Sequence, residues 1–230
     1  MKRFWKTIIL SMLLALTLCV GAQATENTML KVGLKYGTNA LFTARLQNYN
    51  DTLSGSGYEF GYYDADRSFV PLAATDEQRI TITVDSNAYV SGGVCYETRP
   101  TNYSTILGAY HIELLTAFGS YEEALAVAQS YPKGFVAYID GAYRVRVGNH
   151  ASYDESARVL SETDVLAYGA QIVTPSSTGV VVSVTDTDTV LFEFDCSGLR
   201  SLGVRPRSVS GEKTVTWFSG YRYYGGFEYQ

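Results

Sequence analysis

Two short stretches of the chain nearly repeat each other thirty-two positions apart, GSYEEALAV at residues 119–127 and ASYDESARV at residues 151–159. In each stretch a serine is followed three residues later by a glutamate, and apolar or small residues then recur at helical spacing. This arrangement is a capping box, in which the serine hydroxyl accepts from a backbone amide and the glutamate reaches back to the cap. The repeat therefore predicts two helix starts, at Ser120 and at Ser152.

Strand-like runs surround both predicted helices. YHIELL (110–115) precedes the first, AYRVRVG (142–148) precedes the second, and YGAQIV (168–173) follows it. KGFVAYID is a further alternating run, and Asp140–Gly141 joins it to AYRVRVG as a two-residue hairpin signal. The order β-α-β-β-α-β over about residues 107–174 predicts a ferredoxin-like module, with both helices on one face of a four-stranded sheet.

The flanks of this module are rich in strand-like runs and glycine turns. We therefore expect an α+β fold, in which the ferredoxin-like module is inserted in or flanked by a β-rich domain. The predicted boundaries are 1–24 for a signal peptide, 25–103 for a β-rich segment, 104–175 for the module, and 176–230 for a β-rich segment that completes the first and is truncated before a further region.

The N-terminus has the layout of a secretory signal peptide. A basic start leads into an apolar run from Ile8 to about Val20, and small residues at 22–24 suit cleavage after Ala24. The alternative is an uncleaved membrane anchor, but the apolar run is short for a full span. We expect an exported protein of the bacterial cell wall or cell surface, with no stable membrane span after cleavage.

The charge of the chain excludes nucleic acid as a partner. The full chain has a net charge of −5, and without residues 1–24 it keeps 15 Lys and Arg against 23 Asp and Glu, a net of −8. Phosphate contacts need clustered basic residues. A β-α-β-β-α-β sheet also builds RNA-recognition modules, but export and acidity both exclude that function here.

Two cysteines, Cys95 and Cys196, remain after cleavage and lie on either side of the predicted module. In an exported protein such a pair can form a disulfide, which would join the two β-rich halves. Two free buried thiols are the alternative.

The sequence indicates no catalytic, metal or cofactor site. Neither His111 nor His150 has Cys or acidic neighbours at metal-ligand spacing. TDTDT at 185–189 is too short for a calcium loop and is typical of a turn. A nucleophile elbow and a glycine-rich phosphate loop are both missing from the sequence.

The segment YHIELLTAFGSYEEALAVAQSYPKGFVAYIDGAYRVRVGNHASYDESARVL resembles the SPOR domain. The matching features are a first strand followed by an aromatic residue (Phe118), the S-x-x-E-A helix start, and the YRVRVG strand before a second serine-capped helix. This resemblance covers the module at 104–175. It implies a β-α-β-β-α-β fold that binds peptidoglycan, notably glycan strands stripped of stem peptides, on the sheet face opposite the helices.

The flanks carry a second resemblance. LKVGLKYG (30–37) and VTWFSGYRYYGGFEY (215–229) are similar to the N-terminal region of the SpoIID/LytB family, in which a peptidoglycan-cleaving part follows. That family's E-x-Y-L…P-x-E-M-type motif, which holds the catalytic glutamate, does not occur in this sequence. No catalytic residue is therefore carried over from the family.

The third strand of the module supplies the main predicted contacts. Alternation places Arg144 and Arg146 on one face and Tyr143, Val145 and Val147 on the other. We expect the apolar set to pack under the helices and the two guanidinium groups to donate hydrogen bonds to sugar oxygens. The resemblance implies such a contact at Arg144. The alternative is that both arginines only keep a sheet face soluble.

Three further residues complete the predicted glycan site. Glu113 stands where the family pattern has a glutamine, Tyr138 offers a ring for stacking or is an ordinary sheet tyrosine, and Ile172 is a contact or a core residue. The predicted function is a peptidoglycan-binding protein that targets cell-wall remodelling. The alternative is the targeting part of a SpoIID-like lytic transglycosylase or amidase enhancer whose catalytic part is absent from this chain.

Overall fold

Strands dominate the structure. The computed structural model describes residues 31–50, 55–163, 168–198, 200–208 and 214–230. Strands account for 48% of the described residues and helices for 11%, so the fold is β-rich.

Among the described residues the chain forms seventeen strands and two α-helices. The helices are α1 (Tyr121–Ala128) and α2 (Tyr153–Glu162), and a short 3-10 turn spans Gly37–Asn39. The strands are β1 (Thr43–Asn50), β2 (Tyr58–Tyr63), β3 (Phe69–Thr75), β4 (Arg79–Val84), β5 (Ala88–Ser91), β6 (Val94–Tyr96), β7 (Thr105–Leu107), β8 (Tyr110–Leu114), β9 (Gly134–Ile139), β10 (Ala142–His150), β11 (Ala170–Val173), β12 (Gly179–Val184), β13 (Val190–Asp195), β14 (Leu202–Pro206), β15 (Thr214–Phe218), β16 (Tyr221–Tyr224) and β17 (Phe227–Tyr229).

These strands form three sheets. The largest has ten strands in the order β11-β8-β10-β9-β13-β12-β4-β1-β15-β16. A four-stranded sheet has the order β17-β14-β2-β3, and a three-stranded sheet has the order β6-β5-β7. The large sheet joins strands from both ends of the chain with those of the middle segment.

The main hydrophobic core lies on one face of the ten-stranded sheet. Its side chains pack against the four-stranded sheet and against α1. Phe192 of β13 stacks on Phe60 of β2 with ring centroids 5.8 Å apart, and both rings are buried. Ala124 and Ala128 form the buried side of α1. Each fully buried large apolar side chain contributes about 1.5–3 kcal/mol to folding.

The local signals of the sequence are confirmed. The Ser120 and Ser152 hydroxyls accept from the amides of Glu123 and Glu155, each at 3.2 Å. The two glutamate carboxylates accept from the amide one residue before each serine, which is a small variation on the usual capping box. Asp140–Gly141 forms the β9–β10 turn with φ values of 51° and 79°, as a two-residue hairpin requires.

The predicted α+β, ferredoxin-like fold class is wrong. The middle segment does alternate strands and helices in the predicted order, but its sheet is the end of the ten-stranded sheet rather than a separate module. The open edge of β9 pairs in parallel with β13, a strand of the downstream flank. An unpaired inner edge would leave backbone groups without partners. Capping and turn signals are local, so they could not reveal this long-range pairing.

Two predictions concern the N-terminal part of the chain. The predicted signal peptide, residues 1–24, lies outside the described residues. LKVGLKYG is one of the strand-like runs of the upstream flank, from which a strand is expected; this expectation is wrong over residues 31–37, which contain no strand. Within the ranges that the structure covers, no helix is long and apolar enough to cross a membrane.

Candidate functional site

The second face of the ten-stranded sheet, here called the polar face, carries the candidate functional residues. Cross-strand register places Arg146 and Glu193 on this face at one end, and Gln47 and Trp217 on the same face at the other. The three-stranded sheet packs on its middle through Val181 of β12. The two ends of the polar face therefore have different surroundings.

At the first end the structure corrects the predicted arginine surface. Arg146 is only 7% exposed. Its Nε donates to Glu113 Oε2 at 2.9 Å, and its Nη1 donates to Glu193 Oε1. We call Glu113, Arg146 and Glu193 the buried charge cluster. Arg144 and Arg146 were both expected on an open surface. Alternation along β10 could not show that Glu193 of β13 lies close enough to pair with Arg146.

Electrostatics explain why the Arg146 guanidinium stays charged although it is buried. Burial alone would lower the pKa of Arg146, but the carboxylates of Glu193 and Glu113 outweigh it and raise that pKa. Burial lowers the pKa of His111, whose Nδ1 donates to the Gly148 carbonyl at 2.7 Å. Removal of one partner from a buried ion pair leaves an uncompensated charge and strongly destabilises a protein. We interpret the cluster as structural.

Asp85 lies near the same cluster. Burial, and secondly repulsion from the Glu193 carboxylate, raises the pKa of Asp85 to about 7. Its Oδ2 accepts from the Ser176 amide at 2.7 Å. The carboxyl group is therefore neutral over much of the acidic pH range in which an exposed aspartate is charged.

The other predicted glycan contacts do not gather on one surface. Arg144 is half-buried, and its Nη1 donates to the Leu115 carbonyl at 3.2 Å. Tyr138 lies on the opposite face, in aromatic contact with Tyr143. Ile172 is half-buried and lies opposite the core residue Ile112 in the sheet.

The predicted disulfide is also wrong. Cys95 and Cys196 are both free. The Cys95 side chain belongs to the small core under the three-stranded sheet, whereas Cys196 packs against the main core. The alternative of two free thiols is the one that the structure contains.

At its second end the polar face presents four side chains in one cross-strand line. Arg222 pairs with Trp217, Trp217 with Gln47, and Gln47 with Arg79, across β16, β15, β1 and β4. Directly opposite residues in a sheet point to the same side, and neighbouring strands lie about 4.8 Å apart, so the line spans about 14 Å. We call these four residues the Arg–Trp–Gln–Arg row.

The row borders an open groove of about 450 Å³. The Arg222 guanidinium carbon lies 4.8 Å from the centroid of the Trp217 ring, a cation–π arrangement. The groove is lined by Leu41, Thr43, Arg45, Leu46, Gln47, Arg79, Thr185, Trp217, Phe218, Ser219 and Gly220. An aromatic ring, an amide and guanidinium groups therefore share one accessible surface.

Sequence reasoning missed the row because its members are far apart in the chain. A local turn signal could have predicted one pair of the row, Trp217 and Arg222. Ser219–Gly220 forms a two-residue turn with φ values of 50° and 83°, and such a turn places Trp217 opposite Arg222. Nothing local indicated that β1 would pair with β15 and bring Gln47 to the indole.

Comparisons with known proteins do not assign the chain to a family. No protein-family model, curated protein or solved structure matches the chain. The SPOR and SpoIID/LytB resemblances therefore stay predictions. No group of three or more His, Cys, Asp or Glu among the described residues is arranged to hold a metal ion.

Proposed function

We propose that this protein is an exported binder of peptidoglycan glycan strands and that the Arg–Trp–Gln–Arg row is its contact surface. The observation that carries the proposal is the alignment of Trp217, Gln47 and Arg79 along an open groove, with Arg222 next to Trp217 in the same row. The secretion-type N-terminus and the family resemblances support a cell-wall ligand. Targeting of wall remodelling is the role that such binding would serve.

The chemistry of the row suits a sugar polymer. An indole offers an apolar surface to the C–H side of a sugar ring. A glutamine amide such as that of Gln47 can both donate to and accept from hydroxyl and acetamido groups, and guanidinium groups donate several hydrogen bonds in a fixed plane. A line of about 14 Å across four strands can follow more than one sugar ring of an extended strand.

The buried charge cluster is a poorer candidate for the glycan-contact surface than the row. The guanidinium group of Arg146 is already paired with Glu113 and Glu193 and is shielded from solvent. Only 7% of its surface is exposed, so a ligand on the open surface has little access to it. The row therefore replaces Arg146 as the proposed contact surface.

Co-sedimentation with purified peptidoglycan tests the proposal. We expect the protein to be retained, and more strongly after an amidase has removed the stem peptides. Trp217→Ala should weaken binding at least about fivefold, because loss of a stacking aromatic costs on the order of 1–3 kcal/mol.

The matched control is Tyr221→Ala. Tyr221 is an exposed aromatic of the same hairpin, but it lies opposite Phe218 and so points to the other side of the sheet. We expect its loss to leave retention unchanged. Equal retention of Trp217→Ala and the unmodified protein would exclude the row, and no retention of the unmodified protein would exclude the function.

A further inference from the structure

We infer that Lys133 and Asn149 become joined by an intramolecular amide bond, with Asp188 as the base that promotes its formation. This covalent modification site is independent of the proposed function. Its three side chains meet beside the β9–β10 hairpin but come from separate parts of the chain. Lys133 precedes β9, Asn149 lies near the end of β10, and Asp188 lies in the turn between β12 and β13.

The cluster brings an amine, a carboxamide and a carboxylate together. Lys133 Nζ donates to Asn149 Oδ1 at 3.2 Å and to Asp188 Oδ2 at 2.8 Å. Asn149 Nδ2 donates to the backbone carbonyl of Asp188, which fixes the orientation of the carboxamide. Because Oδ1 is bonded to Cγ, the amine lies next to the carbon that it would attack. Reacting atoms held about 3–3.5 Å apart are in the range of a near-attack arrangement.

Asp188 is placed to accept a proton from the amine. Burial alone would raise the pKa of Asp188, but hydrogen bonds from Lys133 and Thr105 outweigh it and lower that pKa. The side chain is therefore a carboxylate at neutral pH. Thr105 Oγ1 donates to Asp188 Oδ2 at 3.1 Å. This is the oxygen that meets the lysine amine, so the threonine orients the base.

The surroundings favour a bond that forms and then persists. Asn149 is only 8% exposed, so its carboxamide carbon is shielded from water. The Lys133 side chain is 56% exposed, which gives the leaving ammonia a path to solvent. The Gly148 amide also donates to the Lys133 carbonyl at 3.1 Å, so the backbone already holds the two segments together. Groups held in this way react with effective molarities of about 10⁵–10⁸ M, and each molecule needs to react only once.

The reaction balances without an oxidant or a second substrate. The Lys133 ammonium gives a proton to Asp188, and the free amine attacks Cγ of Asn149. The Nζ–Cγ bond forms while the carbonyl electron pair moves to Oδ1. Asp188 passes its proton to Nδ2, the Cγ–Nδ2 bond breaks, and the carbonyl re-forms. Asp188 then takes the second proton from Nζ and gives it to the departing ammonia, so one ammonium ion leaves and the total charge is conserved.

Mass spectrometry of the purified protein tests the inference. We expect an intact mass lower by one ammonia than the mass of the same chain without the bond. Trypsin does not cleave after an acylated lysine, so digestion should yield a branched peptide that joins Lys133 to Asn149. The mass of the unlinked chain would overturn the inference. A loss of ammonia without the branched peptide would also overturn it, because an asparagine can lose ammonia by cyclising on its own backbone.

Two variants should abolish both the ammonia loss and the branched peptide. Lys133→Arg keeps a cation beside Asp188, but a guanidinium group stays protonated and is no nucleophile. Asp188→Asn keeps the size of the side chain and removes the base. The matched control is Lys35→Arg, at an exposed lysine outside the cluster, which should leave the amide bond in place. A branched peptide that survives Asp188→Asn in full yield would contradict the role of Asp188.

Discussion

The two ends of the polar face use arginine in opposite ways. At one end Arg146 is enclosed with two carboxylates, and at the other Arg79 and Arg222 are exposed to solvent, Arg79 in the lining of a groove. All three side chains project from the same face of the same ten-stranded sheet. The difference teaches that strand alternation assigns a side chain to a face, whereas covering elements and neighbouring strands decide whether it can bind.

Desolvation explains the division. A guanidinium that leaves water must recover the lost hydration from fixed partners, so burial of Arg146 requires both Glu113 and Glu193. An exposed guanidinium keeps its hydration and can exchange it for a ligand. Arg45 is intermediate, because its pair with Asp186 is partly exposed and is therefore weak.

The largest expected effect comes from breaking the buried charge cluster. Arg146→Ala leaves the carboxylates of Glu113 and Glu193 buried without their cation, so we expect the free energy of unfolding to fall by about 3–5 kcal/mol. Urea unfolding measures the loss. Arg79→Ala, at the open end, should change it by less than about 0.5 kcal/mol. Equal effects of the two substitutions would contradict the division between the ends.

The second prediction concerns pH. The pKa of Asp85 is about 7 in the folded protein, against an ordinary 3.8. The folded state therefore binds this proton more tightly than the unfolded state, so protonation of Asp85 stabilises the fold. This stabilisation is fully present below about pH 4 and is lost as pH rises through 7. Between pH 4 and pH 7 the loss of this proton lowers the free energy of unfolding by as much as about 4 kcal/mol.

Asp85→Asn should remove this dependence. The stability difference between Asp85→Asn and the unmodified protein should therefore grow between pH 4 and pH 7, in favour of the variant, and then level off. His111 acts in the opposite direction, because its lowered pKa costs stability as pH falls below about 6.5. Denaturant unfolding of the variant and of the unmodified protein, between pH 4 and pH 8, measures this difference. A stability difference that does not vary with pH would show that Asp85 is not buried beside Glu193.

The third prediction, for Arg144→Ala, is a smaller effect than either of these. Arg144 is half-buried and donates a hydrogen bond to the Leu115 carbonyl, so we expect its loss to lower the free energy of unfolding by about 0.5–1 kcal/mol. If the row is the contact surface, retention on peptidoglycan should not change. A clear loss of retention would instead favour the surface implied by the SPOR resemblance.

Local sequence signals predicted the local structure well. The serine caps at Ser120 and Ser152 and the Asp140–Gly141 turn are confirmed, because hydrogen bonds within a few residues determine them. The fold class failed on one long-range contact, the β9–β13 pair. No residue of KGFVAYID shows whether its outer edge meets solvent or another strand.

The candidate site was harder to predict for the same reason. Alternation correctly placed Val145 and Val147 in the core. It could not distinguish Arg146, which pairs with Glu193 two strands away in the sheet, from an exposed arginine. The row needs β1, β4 and β15 to be neighbours, and that order appears only in the folded sheet.

Tryptophan fluorescence tests the central claim most directly. The chain has two tryptophans, Trp5 and Trp217, so removal of residues 1–24 leaves Trp217 as the reporter, while the compact unit at residues 35–230 stays whole. If glycan strands bind at the row, peptide-free oligosaccharides should change the emission of Trp217 in a saturable way, with the same midpoint as binding measured by calorimetry. Binding by calorimetry without any change in this emission would contradict the account.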